Sequence, residues 1–268
     1  MGDFAVYRQY GETLTKLLSM PTAPLAVKLL HTEEEIPPGA VRPKKDRQVH
    51  YSLCQVFALA RREGQTIAMF KEDHWCWAPL IGFGLVEFHE EHESFPVVSR
   101  YLGIADQEAA RKFLRNFPRL EYGRYAGLVV GPLTKADYEP DIILIYTDSY
   151  QLKKLLLAVK SRRGELVTSR FDAIDSCVYS TIPVLESGEY KITFPDPGDI
   201  ERALAEDGEI IFSLPANRLE ELVSGLEFLS SIGMGKWQRA EKIEPDHPRP
   251  PFYRELFRIW GLDTGDES

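Results

Sequence analysis

Cysteine is scarce in this chain: three residues among 268, at positions 54, 76 and 177. The spacing excludes a CxxC pair and the tight cysteine runs of common ferredoxins, and three thiols are too few for a disulfide framework. Long apolar runs are missing as well, and none approaches the ~20 residues that a membrane span requires. The opening Met-Gly-Asp-Phe-Ala-Val carries neither the basic segment nor the apolar core of a secretion signal, and Val6 stands where myristoylation wants Ser or Thr. Positive charge is short too. Thirty-two Lys and Arg against 41 Asp and Glu give a net charge of −9, so a nucleic-acid backbone finds no general basic face. Gly127-Leu-Val-Val-Gly131 departs from a dinucleotide fingerprint, and Gly82-Phe-Gly84 is too short for a phosphate loop. These absences lead to the expectation of a cytoplasmic protein without nucleic-acid or membrane partners. In that compartment cysteines are free thiols, metal ligands or nucleophiles.

A hydrophobic content of 44% is enough to build a sizeable core, as one large domain or two small ones. The chain is organised around residues 69–85, Met-Phe-Lys-Glu-Asp-His-Trp-Cys-Trp-Ala-Pro-Leu-Ile-Gly-Phe-Gly-Leu. A β-type run feeds a polar turn, and Cys76 then stands between Trp75 and Trp77 with His74 just before it. Ser52-Leu-Cys-Gln55 has the pattern of a capping box, which puts Cys54 in a first helical turn where exposed amides and the positive dipole end favour thiolate. Cys177 falls in a helix-like stretch over 170–185, bent by Pro183.

Apolar periodicity predicts further helices over 4–18, 105–117, 149–163, 200–205 and 217–229, and a short amphipathic one carrying Phe252, Leu256, Ile259 and Trp260. Short aliphatic runs at 24–30, 66–70, 127–132, 141–146, 190–194 and 209–214 read as strands. The charged segment 33–47, with Arg42, Lys44, Lys45 and Arg47, reads as an exposed loop. His89 and His92, three apart, would share a helical face as a metal pair, against the plainer reading of a solvated acidic segment. The expected fold is α/β: a mixed sheet flanked by helices, with a body over 1–235 and a tail over 236–268 whose short C-terminal helix docks on the body or on a second subunit. An internal echo supports half-repeats over about 20–125 and 126–230. In each, a strand precedes a Cys-bearing helix, a terminating glycine (Gly64 or Gly188), a second strand and a polar turn, which holds Cys76 in the first and Asp196 in the second. A pseudo-twofold duplicated α/β unit would bring Cys54 and Cys177 to matching places.

Several stretches resemble the DUF169 family: Pro140-Asp-Ile-Ile-Leu-Ile-Tyr146 with the helix at Gln151, the Cys177 segment with Gly188, and 198–227 from Gly-Asp-Ile-Glu-Arg through Ser-Leu-Pro-Ala-Asn-Arg-Leu. Cys54 and Cys76 belong to the same likeness, which runs from about Leu14 to Leu229. The resemblance implies a compact α/β protein with recurring cysteines and an iron–sulfur or other thiolate-metal role. Family members carry a cysteine after the proline of the second polar turn, where this chain has Asp196, so a four-thiolate set is replaced by three.

The leading expectation is therefore a metal-binding protein, an oxidoreductase or a redox accessory, with a [4Fe-4S] iron–sulfur cluster on Cys54, Cys76 and Cys177 and with Asp196 or His74 as the weaker fourth ligand. Zinc, or no cofactor at all, is the alternative. Two other functions stand beside it: a non-catalytic small-molecule binder with a pocket walled by Trp75, Trp77 and Phe83, and a transferase or hydrolase using Cys54 or Cys76 as nucleophile with His74 as base. Expected partners are a small-molecule substrate or a redox protein, and a homodimer is one expected assembly.

Overall fold

The computed structural model describes residues 4–238, 240–243, 245 and 250–262. The chain divides into two units, Met1–Gly235 and Lys236–Ser268. In the first, six strands form one sheet: β1 (Leu25–Leu30), β2 (Ile67–Phe70), β3 (Gly127–Pro132), β4 (Ile142–Thr147), β5 (Lys191–Thr193) and β6 (Ile210–Pro215). Their order is β2-β3-β1-β4-β6-β5, and every strand pair is antiparallel. Parallel character is confined to single bridges, Val41 with Ile67 and Tyr51 with His74, beyond the β2 edge.

Alternate side chains of a strand face opposite ways, so a strand buried on both faces feeds two cores. Val27 and Leu29 of β1, Met69 of β2, Leu128 and Val130 of β3 and Leu144 of β4 face one core. It is closed by α3 (Leu53–Glu63), α4 (Trp77–Gly82), α8 (Ser176–Tyr179) and α9 (Ile182–Ser187). Ala26, Val129, Ile143, Phe212 and Leu214 face the other, closed by α1 (Ala5–Leu18), α7 (Ser149–Arg163) and α11 (Leu219–Ser231). The unit is a helix–sheet–helix sandwich of the expected α and β make-up, with an antiparallel sheet in place of the expected mixed one.

Read from either edge inward, the sheet repeats one script, β2-β3-β1 from one side and β5-β6-β4 from the other, which groups β3 with the first half rather than with the expected 126–230. The register agrees with it. Leu25 of β1 and Ile142 of β4 each pair with the proline that ends the neighbouring strand, Pro132 and Pro215, and β1 meets β4 with Ala26 opposite Ile143 at the centre. The helices do not match one for one. The long α7 between β4 and β5 has no counterpart between β1 and β2, where a 3-10 turn (Glu33–Glu35) and the short α2 (Pro43–Arg47) precede α3.

Local chemistry accounts for the main elements. Ser52 and Gln55 close a capping box on α3, Asp148 and Gln151 another on α7, and Gly64 and Gly164 end those helices in the left-handed region. Asp106 caps α6 (Gln107–Arg115), which follows α5 (Phe95–Tyr101). Two expectations need correction. Residues 33–47 are not one exposed loop: Arg42 is buried, its Nε 2.9 Å from Asp73 Oδ2 and its Nη1 3.0 Å from Glu33, with Glu72 as a third partner and the Phe70 ring beneath it. Nor is 170–185 one bent helix. Asp175 adopts a left-handed conformation, so helix begins only at Ser176. The Thr181 hydroxyl donates to the Cys177 carbonyl at 2.6 Å, and Pro183 lacks an amide, so α8 stops and α9 starts afresh.

In the second unit α12 (Phe252–Ile259) forms where the apolar spacing puts a helix, with Phe252, Ile259 and Trp260 exposed. Much of the proline-rich 245–251 segment lies outside the described residues.

Helices α7 and α11 approach so closely at Gly225 that a Cβ there would lie 2.7 Å from the Ala158 carbonyl oxygen. Gly225→Val is therefore expected to lower stability by about 1–3 kcal/mol through overpacking, read as a lower urea midpoint; an unchanged midpoint would contradict this contact.

Candidate thiol site

Cys54 and Cys177 both occupy the second position of a helix, following Leu53 in α3 and Ser176 in α8. Cys76 and Asp196 both stand one residue before a helix, as N-caps of α4 and of α10 (Pro197–Ala203). Helix α10 packs on α3, with Ala203 against Cys54 and Ala58, while α8 packs on both α3 and α4. Helices α3, α4 and α8 thus gather on one side of the sheet, and the last turn of α10 lies on the first turn of α3. Cys177 lies within electrostatic reach of both Cys76 and Cys54.

Buried hydrogen bonds hold this meeting point. Asp196 receives the Asp199 amide on Oδ1 (2.9 Å) and the Ser176 amide on Oδ2 (3.0 Å), which joins the start of α10 to the start of α8. Asp199, almost fully buried, accepts the Tyr146 hydroxyl at 3.1 Å and the Asp196 amide at 3.1 Å, and the Ser176 hydroxyl donates to it as well. Helix α3 is fixed by Arg61, whose guanidinium lies 3.9 Å over the Tyr146 ring and grips Glu209 through two hydrogen bonds of 2.7 and 2.9 Å.

The expected thiolate at Cys54 is corrected by this packing. Burial under α10 pushes its thiol up to about 11, against the lowering effect of the 2.9 Å contact with Ser52 Oγ. Burial also raises Cys76, and it raises Cys177 most, with Cys76 and Cys54 adding to the effect. Burial and the neighbouring Asp196 and Asp172 carry Asp175 up to about 7, and Asp199 is lifted to about 6 by burial first. Acidic groups dominate this place, and Arg202 is the cation that acts on Cys54 and Cys76; its guanidinium stacks 4.8 Å over Trp75.

His74 is buried, burial holds it neutral with a pKa of about 4, and neither ring nitrogen has a hydrogen-bond partner. Its backbone and that of Cys76 are both extended, so at two residues apart their side chains leave the same side of the segment. His89 and His92 are not on a helix. His89 bonds Glu91 and Glu87, and His92 bonds Ser94. The three aromatic residues expected to wall a pocket part company. Phe83 is in the core, Trp75 is half exposed with its indole donating to Gln55, and Trp77 stacks on Phe117 at 5.4 Å.

The donor set suits a thiolate-held group by chemistry, since soft sulfur ligands select iron–sulfur clusters or zinc. Asp196 already serves two amides, with one lone pair left on each oxygen, and His74 has both nitrogens unspent. Among the described residues no three His, Cys, Asp or Glu side chains are gathered in metal-ligand geometry. As they stand, thiols held protonated by burial are not activated nucleophiles.

The helix-to-helix thiol arrangement lies within residues 13–225, which match the DUF169 family, described as "Uncharacterised ArCR"; the chain belongs to this family. A relative, the "Uncharacterized protein MJ0308" of Methanocaldococcus jannaschii, is 24% identical over 234 residues, covering 86% of this chain and 97% of that protein. No solved structure matches the chain. Among the described residues, no helix is long and apolar enough to cross a membrane.

The hub that sequence reasoning missed is Asp199 with Tyr146 and Ser176, whose partners are 53 and 23 residues away along the chain. Because Asp175 and Asp199 take up protons more readily folded than in an ordinary exposed carboxylate, their contribution to stability is complete below roughly pH 4 and is lost as pH rises through about 7. In the presence of a chelator, Asp175→Asn, which tolerates the left-handed backbone, should flatten the fall in melting temperature between those limits. An unchanged profile would contradict a proton on Asp175.

Proposed function

We propose that this protein holds a thiolate-bound metal centre, of the iron–sulfur type in the leading reading, on Cys54, Cys76 and Cys177, with His74 or Asp196 completing the set. One observation carries the reading. Cys177 lies within electrostatic reach of Cys54 and Cys76, beside carboxylates whose acidity burial suppresses. A bound cation would favour the deprotonated forms and release protons as it entered.

Cys54 and Cys177 would bind from the first turns of α3 and α8, and Cys76 from the residue before α4. Asp199 and Asp196 position the α8 and α10 starts, and Arg202 offsets part of the negative charge at Cys54 and Cys76. When bound, an iron–sulfur group supplies electron transfer, or Lewis-acid chemistry where one iron is not held by sulfur. That chemistry fits an oxidoreductase or an accessory to one, working with a small-molecule substrate or a redox protein. The free thiols fit a reducing compartment such as the cytoplasm.

Purification without oxygen, followed by iron and sulfide analysis and a visible spectrum, tests the proposal. Brown protein with iron and sulfide is expected, and Cys54→Ser should lose both. Colourless, metal-free protein with all three thiols open to alkylation would end it.

A further inference from the structure

A cleft of about 1290 Å³ opens between α6, the 168–171 segment, α9 and β5, on the far side of an aromatic layer from the thiols. Its charge is opposite to that of the whole chain. Lys112, Arg115, Arg119, Arg170 and Lys191 line it, against Glu186 as the one lining carboxylate, in a protein of net charge −9. Arg115 is spent on Glu90 and Glu108, and Arg119 donates to the Leu114 carbonyl at 2.8 Å. Lys112, Arg170 and Lys191 remain, from three separate segments, and none forms an ion pair among the described residues. Three cations facing a single lining carboxylate leave the cleft positive, and a bound anion relieves their mutual repulsion.

The same walls offer flat apolar surface. Phe113, Phe117 and Tyr179 form a chain of ring contacts at 6.2 and 6.1 Å, and Phe171 stands at the rim beside Phe194. Apolar walls with a few convergent charged groups are the usual make-up of a small-molecule site, and this volume exceeds the range of about 300–1,000 Å³ common for such sites. We infer that the cleft binds an organic anion: a phosphate- or carboxylate-bearing molecule with a flat apolar body, its charge at Lys112, Arg170 and Lys191 and its body against Phe113, Phe117 and Tyr179. Phe117 stacks on Trp77, the residue after Cys76, and Tyr179 follows Cys177 by two, so the ligand lies one aromatic layer from the thiols. The inference does not depend on a metal being there.

Anilinonaphthalene sulfonate, a fluorescent aromatic anion, is a suitable probe of the full chain. It should bind with a blue-shifted emission, be displaced by naphthyl phosphate but not by naphthol, and weaken with salt. Replacing Lys112, Arg170 and Lys191 together by Ala should lower its affinity by roughly tenfold or more. Should that variant unfold, Lys112→Glu alone, at an exposed position, carries the same test. Equal affinity in wild type and folded variant, or equal displacement by naphthol, would overturn the inference. The fluorescence readout is independent of metal content, so this proposal and the metal centre can fail separately.

Discussion

The carboxylate of Asp199 is the constraint on which the site depends. It is buried, and it draws donors from three directions: the Tyr146 hydroxyl on the central strand β4, the Ser176 hydroxyl at the start of α8, and the Asp196 amide before α10. A buried carboxylate with several donors is stable where it is and costly to move, because each lost partner leaves a polar group without water to replace it. Fixing α10 against β4 also fixes Ala203 against Cys54, and fixing Ser176 fixes the next residue, Cys177. Sulfur atoms 123 positions apart in the chain thereby come within electrostatic reach of each other.

The sheet shows why this place exists. Its order and register repeat from either edge, and the cysteine-bearing helix starts follow the same pattern, with Cys54 and Cys177 second in their helices and Cys76 and Asp196 one residue before theirs. Here one of the four positions holds an aspartate that caps its own helix and tethers the next, so it contributes to architecture whether or not it reaches a metal. His74, buried without partners on either ring nitrogen, is the other side chain whose surroundings leave its chemistry unspent.

Much of this was legible in the sequence where the cause is local. The capping boxes at Ser52 and Asp148, the terminating Gly64 and Gly164, and the short aliphatic strands are written in neighbouring residues, and the helices and strands follow them closely. What was not legible comes from residues far apart. Arg42 looks like part of a solvated basic cluster until Asp73 and Glu72, about thirty residues on, bury and pair it. Cys54 looks like an activated thiol until α10 covers it and desolvation outweighs the helix start. The cations of the cleft come from three segments, 112–119, Arg170 and Lys191, which only the fold brings together.

The central claim is that three thiols share one place, and trivalent arsenic tests it most directly, because one arsenic atom bonds up to three sulfurs only when they can converge on it. Reduced, metal-free protein treated with arsenite should bind one arsenic per chain and lose all three alkylatable thiols together, with Cys54→Ser, Cys76→Ser and Cys177→Ser each weakening the capture. Three thiols that alkylate independently, with no arsenic retained, would contradict the account.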